Sequence, residues 1–154
     1  MATLHLMVGL PCSGKTTEAG KVARQYNALR LTPDVWQLRL FGQDMDDPRH
    51  DDRHEAIEEI MWDVARDVLL LGTSVVLDFG FWSRGERDDF RRRARDLGAG
   101  FMIHFMDVPL CELLARLEKR NRQAGEEESI AFSPELLEEW AAMFEAPSDD
   151  ELCP

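Results

Sequence analysis

Cysteine is scarce in this 154-residue chain: Cys12, Cys111 and Cys153 are an odd number at no motif spacing. That speaks against a disulfide framework and for a reducing, cytoplasmic setting. Long apolar runs are missing, and none approaches the length of a membrane span. The opening residues, Met1-Ala2-Thr3-Leu4-His5, lack the charged n-region, apolar h-region and cleavage site of a secretory signal, so a cytoplasmic location is expected. No repeat, low-complexity tract or Gly/Ser linker divides the chain. Positive charge is also short, with 18 Lys plus Arg against 30 Asp plus Glu and a net charge of −12. Such a surface repels phosphate backbones and anionic lipid, which argues against long nucleic acid or a membrane as partner. A local basic pocket stays compatible with it.

What is present suits one domain. Hydrophobic residues make up 44% of the chain. At this length about two-thirds of the unfolded surface can be buried, enough for a core without staples or metals. Residues 4–8 form a short apolar run ended by Gly9 and read as a buried strand, followed by a helical pattern over 15–26. A second run, 28–31, precedes Thr32-Pro33-Asp34, where Thr32 is the candidate N-cap and Pro33 the first helical residue. The acidic stretch 44–52 has no periodicity and reads as a mobile loop. Ile57, Ile60, Met61, Val64, Ala65, Val68 and Leu69 then repeat at helical spacing until Gly72. Strands are expected at 74–77 and 101–108, with helices at 84–97, from Pro109 onward and from Ser133 onward. After Ala146 the tail is acidic and expected to be weakly structured. Strands alternating with helices predict an α/β fold in three layers, a parallel sheet with helices on both faces. Four strands are legible; a fifth would have to come from the final residues, which do not read as one.

The loop Gly9-Leu10-Pro11-Cys12-Ser13-Gly14-Lys15-Thr16, with Thr17 next, fits G-x-x-x-x-G-K-[ST] and stands between a strand and a helix. Glycines let consecutive N–H groups turn inward on a polyphosphate, and the helix N-terminus adds partial positive charge. Lys15 can then reach the β- and γ-phosphates, and the Thr16 hydroxyl can ligate Mg²⁺. Cys12 reads as a small filler of this loop.

With this cradle the chain resembles the small P-loop kinases grouped with polynucleotide 5′-kinase, zeta-toxin, chloramphenicol phosphotransferase and nucleotide-kinase-like proteins. The resemblance runs over most of residues 1–145. It implies a P-loop NTPase sheet of four or five strands ordered 2-3-1-4-5, with ATP and Mg²⁺ at the loop and a lid closing over the phosphates. The kinase-like domain would span 1–146, its lid about 120–132, with 147–154 as the acidic tail. Asp78, ending an apolar strand, matches the family's second nucleotide motif and would hold the waters of Mg²⁺; otherwise it caps a turn. Asp34 matches an aspartate that orients or deprotonates the acceptor hydroxyl, unless it only complements the helix dipole. Arg116 and Arg120 match lid arginines, one packing on adenine and one reaching the transferring phosphate. The alternative is a solvated helix with a Glu112–Arg116 pair.

Trp36, Phe79 and Trp82 follow the two aspartates and are candidates for an aromatic acceptor wall or for core packing. Arg39, Arg53, Arg84 and Arg87 are candidates to grip an anionic acceptor. His50 and His54 stand four apart, but nothing supplies further metal ligands at a recognised spacing. The expected activity is transfer of the ATP γ-phosphate to a small-molecule hydroxyl or phosphate, by a monomer or homodimer. The alternative is a regulatory NTP-binding switch with a protein partner.

Overall fold

In the computed structural model, which describes residues 1–123 and 130–153, the strands are β1 (Thr3–Val8), β2 (Leu29–Leu31), β3 (Val75–Gly80) and β4 (Gly100–Phe105). They form one parallel sheet in the order β2-β3-β1-β4. No fifth strand occurs among the described residues. Among the described residues seven helices accompany them: α1 (Lys15–Tyr26), α2 (Pro33–Phe41), α3 (His50–Leu70), α4 (Arg84–Asp96), α5 (Leu110–Arg122), α6 (Pro134–Met143) and α7 (Asp149–Leu152).

The two-residue period of β1 sorts the layers. Leu4, Leu6 and Val8 pack with Ile57, Met61, Ala65 and Leu69 of α3 and with Phe90 and Ala94 of α4. Met7 points the other way, onto Ala19 and Val22 of α1. Full burial of each large apolar side chain is worth about 1.5–3 kcal/mol, so these contacts, more than helix propensity, hold α3 in place. Ile60, expected in the same stripe, is 54% exposed because the i+4 row through Ile57 and Met61 faces the sheet.

In register, Leu6 sits opposite both Leu77 of β3 and Ile103 of β4. The parallel strands therefore finish together, and the segments after Val8, Leu31 and Gly80 gather at one edge, where α/β folds place their ligands. A third apolar cluster, with Leu10, Leu113, Leu117 and Leu137, ties α5 and α6 to the loop after β1.

Two stretches differ from the expectation. The 44–52 segment is anchored: Asp44 is buried, His50 Nδ1 lies 2.8 Å from its Oδ1, and Arg53 Nη1 donates to its Oδ2 at 3.2 Å. Its last residues already belong to α3. The tail after Ala146 is likewise built in. Glu151 of α7 is buried against Arg87 of α4, with Nε to Oε1 at 2.7 Å, and Arg87 also donates to the carbonyls of Phe81 and Glu145 at 2.9 Å. Acidity suggested a solvated tail; one buried arginine on another helix turns it inward.

Candidate active site

The loop between β1 and α1 is shaped by close approach. A Cβ at Gly9 would come within 2.8 Å of Ser13 Oγ and 3.2 Å of Met106 Cβ, so only glycine fits. Gly14, at the N-cap of α1, has φ +88°, and Cys12 is itself left-handed at φ +68°. Among the described residues, the amides of Gly14, Lys15, Thr16 and Thr17 have no backbone partner. They are the orphan donors of a helix start, arranged to receive anionic oxygens. Pro11, Cys12, Gly14, Lys15, Thr16 and Thr17 line a cleft of about 1010 Å³, whereas Ser13 is buried beneath it.

One carboxylate organises the floor. Asp78, with its side chain fully buried, accepts from Thr16 Oγ1 at 2.8 Å and Thr32 Oγ1 at 3.1 Å, and pairs with Lys15 Nζ at 3.4 Å. Thr32 thus spends its hydroxyl on Asp78 and not on capping α2, where it makes no side-chain cap. The Thr16 hydroxyl and Asp78 carboxylate are hard oxygen donors, a set that fits Mg²⁺, which uses one or two protein oxygens with substrate phosphates and water.

Arg116 and Arg120 reach the cradle from α5. Arg116 Nη1 donates to the Cys12 carbonyl at 3.1 Å while its Nη2 pairs with Glu112 at 2.8 Å, so the expected pair and the contact with the loop coexist. Arg120 lies 3.5 Å from Cys12 Sγ, donates to the Ile130 carbonyl at 2.7 Å and covers the Phe132 ring at 5.2 Å. Burial pushes the Cys12 thiol up despite these cations, which leaves it protonated and poorly nucleophilic. Of the expected lid at 120–132, residues 124–129 lie outside the described residues.

Asp34, half exposed at the start of α2, lines the cleft beyond Lys15, as do Phe79 and Trp82. Trp82 is fixed by its Nε1 donating to the Gly9 carbonyl at 3.3 Å and by Trp140, with ring centroids 5.6 Å apart. Trp36 is not in this wall; it packs against the main core. The arginines expected to grip an acceptor are engaged elsewhere. Arg53 pairs with Asp44 and Asp47, Arg84 with Asp150, and Arg87 with Glu151, while Arg39 is exposed away from the cleft lining. His50 and His54 are drawn into the side-chain network of Asp44 and Gln37.

Sequence reasoning missed the far end of the cleft, built by Asp51, His54 and Glu58 of α3 and Glu86 of α4. Burial and then the nearby Glu58 push the Glu86 carboxyl up to about 7. For His54, burial pulls the ring down, but a hydrogen bond and charge from Glu58, 3.1 Å away, outweigh it and hold the pKa above the ordinary value.

A parallel sheet in this order, with a G-x-x-x-x-G-K-T cradle at its edge, defines the small P-loop kinase fold. More particularly, the chain belongs to the AAA domain family, whose model matches residues 4–147. No curated protein matches it. Among solved structures it is similar to a chain of the Pnkp1/Rnl/Hen1 RNA repair complex, with 24% identity and a TM-score of 0.71. That match covers 92% of this chain but 43% of the other, so this chain spans less than half of that relative. Kti12 from Chaetomium thermophilum, in complex with ADP-AlF3, is 18% identical with a TM-score of 0.75, covering 98% and 86% of the two chains. A gluconokinase from Sinorhizobium meliloti is also 18% identical, with a TM-score of 0.64 and coverage of 97% and 77%. At these identities the likeness is one of fold.

Proposed function

We propose that this chain is an ATP-dependent phosphotransferase acting on a small-molecule hydroxyl. The observation that carries the reading is that the cleft does not stop at the cradle. Its lining continues from Lys15 and Thr16 to Asp34 and on to Asp51, His54 and Glu58 of α3 and Glu86 of α4. A regulatory switch needs room for its nucleotide and one water; a transferase needs a second compartment.

In this reading the loop amides and Lys15 hold the β- and γ-phosphates, and Thr16 with Asp78 holds Mg²⁺, which supplies neutralising charge to the phosphates. Asp34 orients the acceptor hydroxyl and takes its proton. An oxygen–phosphorus bond forms to the γ-phosphorus as its bond to the β,γ-bridging oxygen breaks, and ADP leaves with that electron pair. Arg120 meets the charge that develops on the transferring group. Because such transfer is loose, positioning dominates over proton abstraction. Gluconokinase and the RNA repair complex among the structural relatives agree with a fold used on varied acceptors, so the acceptor is read from the cleft and not from the fold.

The test is ADP release from ATP and Mg²⁺ with and without a panel of hydroxyl-bearing acceptors. Release that requires an acceptor, with labelled phosphate appearing on it, supports transfer. Equal release without any acceptor supports the switch, and absence of nucleotide binding overturns both.

A further inference from the structure

We infer that the acceptor is a cationic, hydroxyl-bearing small molecule, an amino sugar or amino alcohol, whose ammonium group is held between Glu58 and Glu86. The inference rests on the phosphotransferase reading and names the substrate class of the same cleft.

The cleft has two ends of opposite sign. Lys15, Arg116 and Arg120 make the phosphate end positive. Beside Asp34, the lining carries Asp51, Glu58 and Glu86 against His54, an exposed Arg30 and His50, which is turned onto Asp44. His54 is already committed: its Nε2 lies 3.1 Å from Glu58 and its Nδ1 lies 2.8 Å from the Gln37 amide oxygen. Glu86 has no such partner. The Ser83-x-x-Glu86 spacing is that of a capping box, in which the glutamate turns back to the helix start. Here only the Glu86 backbone N–H bonds Ser83 Oγ, at 3.1 Å, and the carboxyl takes no hydrogen bond among the described residues. It faces the cleft instead, close enough to Glu58 for the two to repel.

At Glu86, burial and the neighbouring Glu58 outweigh the attraction of Arg87 and His54, so the charged carboxylate is unfavourable until a further cation arrives. An ammonium inserted there gains two opposite charges and relieves the repulsion between them. A phosphate or carboxylate meets the reverse: it faces the same carboxylates, and Arg53, Arg84 and Arg87 are turned onto partners outside the cleft. The walls agree with a compact polyhydroxy cation. Phe79 and Trp82, on the segment that leads from β3 into α4, contribute flat aromatic surface to the same cleft, suited to a sugar face or an alkylammonium.

The experiment is calorimetry in the presence of Mg²⁺ and a non-hydrolysable ATP analogue. D-Glucosamine, D-glucose and D-gluconate present one skeleton in three charge states, and ethanolamine and kanamycin add further hydroxylated amines. The expected result is that amines bind about tenfold or more tighter than the neutral sugar, with gluconate weakest. In the Glu58→Gln, Glu86→Gln double variant this preference should vanish while affinity for the analogue is retained. A neutral or anionic compound binding as well as the amines, or no amine binding although the analogue does, overturns the inference and leaves the phosphotransferase reading standing. If the analogue itself does not bind, that reading falls first and the inference with it.

Discussion

The Thr16 hydroxyl donates to Asp78 Oδ2 at 2.8 Å, linking the first turn of α1 to the end of β3 across 62 residues of sequence. Lys15 and Thr32 converge on the same carboxylate. Three chain segments are thereby locked around the cradle, so under the proposed function little reorganisation is left for the moment at which phosphate and Mg²⁺ bind.

Lys15→Ala should reduce ADP release by about 10²-fold or more, since it removes the charge aimed at the β- and γ-phosphates. The wild-type protein should melt higher with ATP and Mg²⁺, by ~2.7 kcal/mol of stability at a hundred times Kd, and the variant should lose that gain. Circular dichroism checks that the fold is kept. Near-wild-type turnover in the variant contradicts the site.

Asp34→Asn preserves size but cannot accept the hydroxyl proton. Transfer should fall about 10²-fold, with ATP affinity nearly unchanged. Parallel losses in both, measured by calorimetry and ADP release, would instead mark Asp34 as a residue of the α2 start.

Arg120→Ala should lower kcat more than it weakens ATP binding, the signature of an interaction made chiefly in the transition state. A change confined to ATP affinity would assign the arginine to ground-state binding.

Glu86 makes stability depend on pH in a definite direction. Its carboxyl is held at about 7 in the fold against an ordinary 4.5, so the folded state keeps a proton that the unfolded chain releases. Raising the pH from 4.5 through 7 therefore costs stability, which Glu86→Gln does not lose. The variant should match wild type near pH 4 and exceed it at pH 8 by roughly 1–3 kcal/mol in urea melts. Identical stabilities across the range would show that Glu86 titrates normally.

Arg87→Leu strands Glu151 in the interior and should cost about 3–5 kcal/mol. Replacing both residues by leucine should recover much of it. A variant with Arg87→Leu as stable as wild type would mean that α7 contributes nothing.

The cradle was legible because its residues are contiguous and each type answers to one chemical need. The parallel sheet followed from apolar runs alternating with helical stripes, while Asp78, expected to end its strand, lies inside β3, which runs on to Gly80. The acidic part of the cleft was not legible. Glu58 and Glu86 are 28 positions apart on different helices, and the local signal at Glu86 was that of a helix cap. The arginines misled for a related reason. Guanidinium groups choose the best carboxylate within reach, and for Arg84 and Arg87 that carboxylate lies 66 and 64 residues away in the tail. No periodicity records such a choice.

The opposite charges of the cleft are carried by separate stretches of chain, the positive one by the 9–17 loop and α5, the negative one by the first half of α3 and the start of α4. Heritable change can therefore act on one without touching the other. Under the proposed function, single replacements at positions 51, 58 or 86 would alter which molecule is admitted while leaving the residues proposed to handle the nucleotide untouched. A lineage built on this framework can drift from one acceptor to another through intermediates that never lose their phosphate donor.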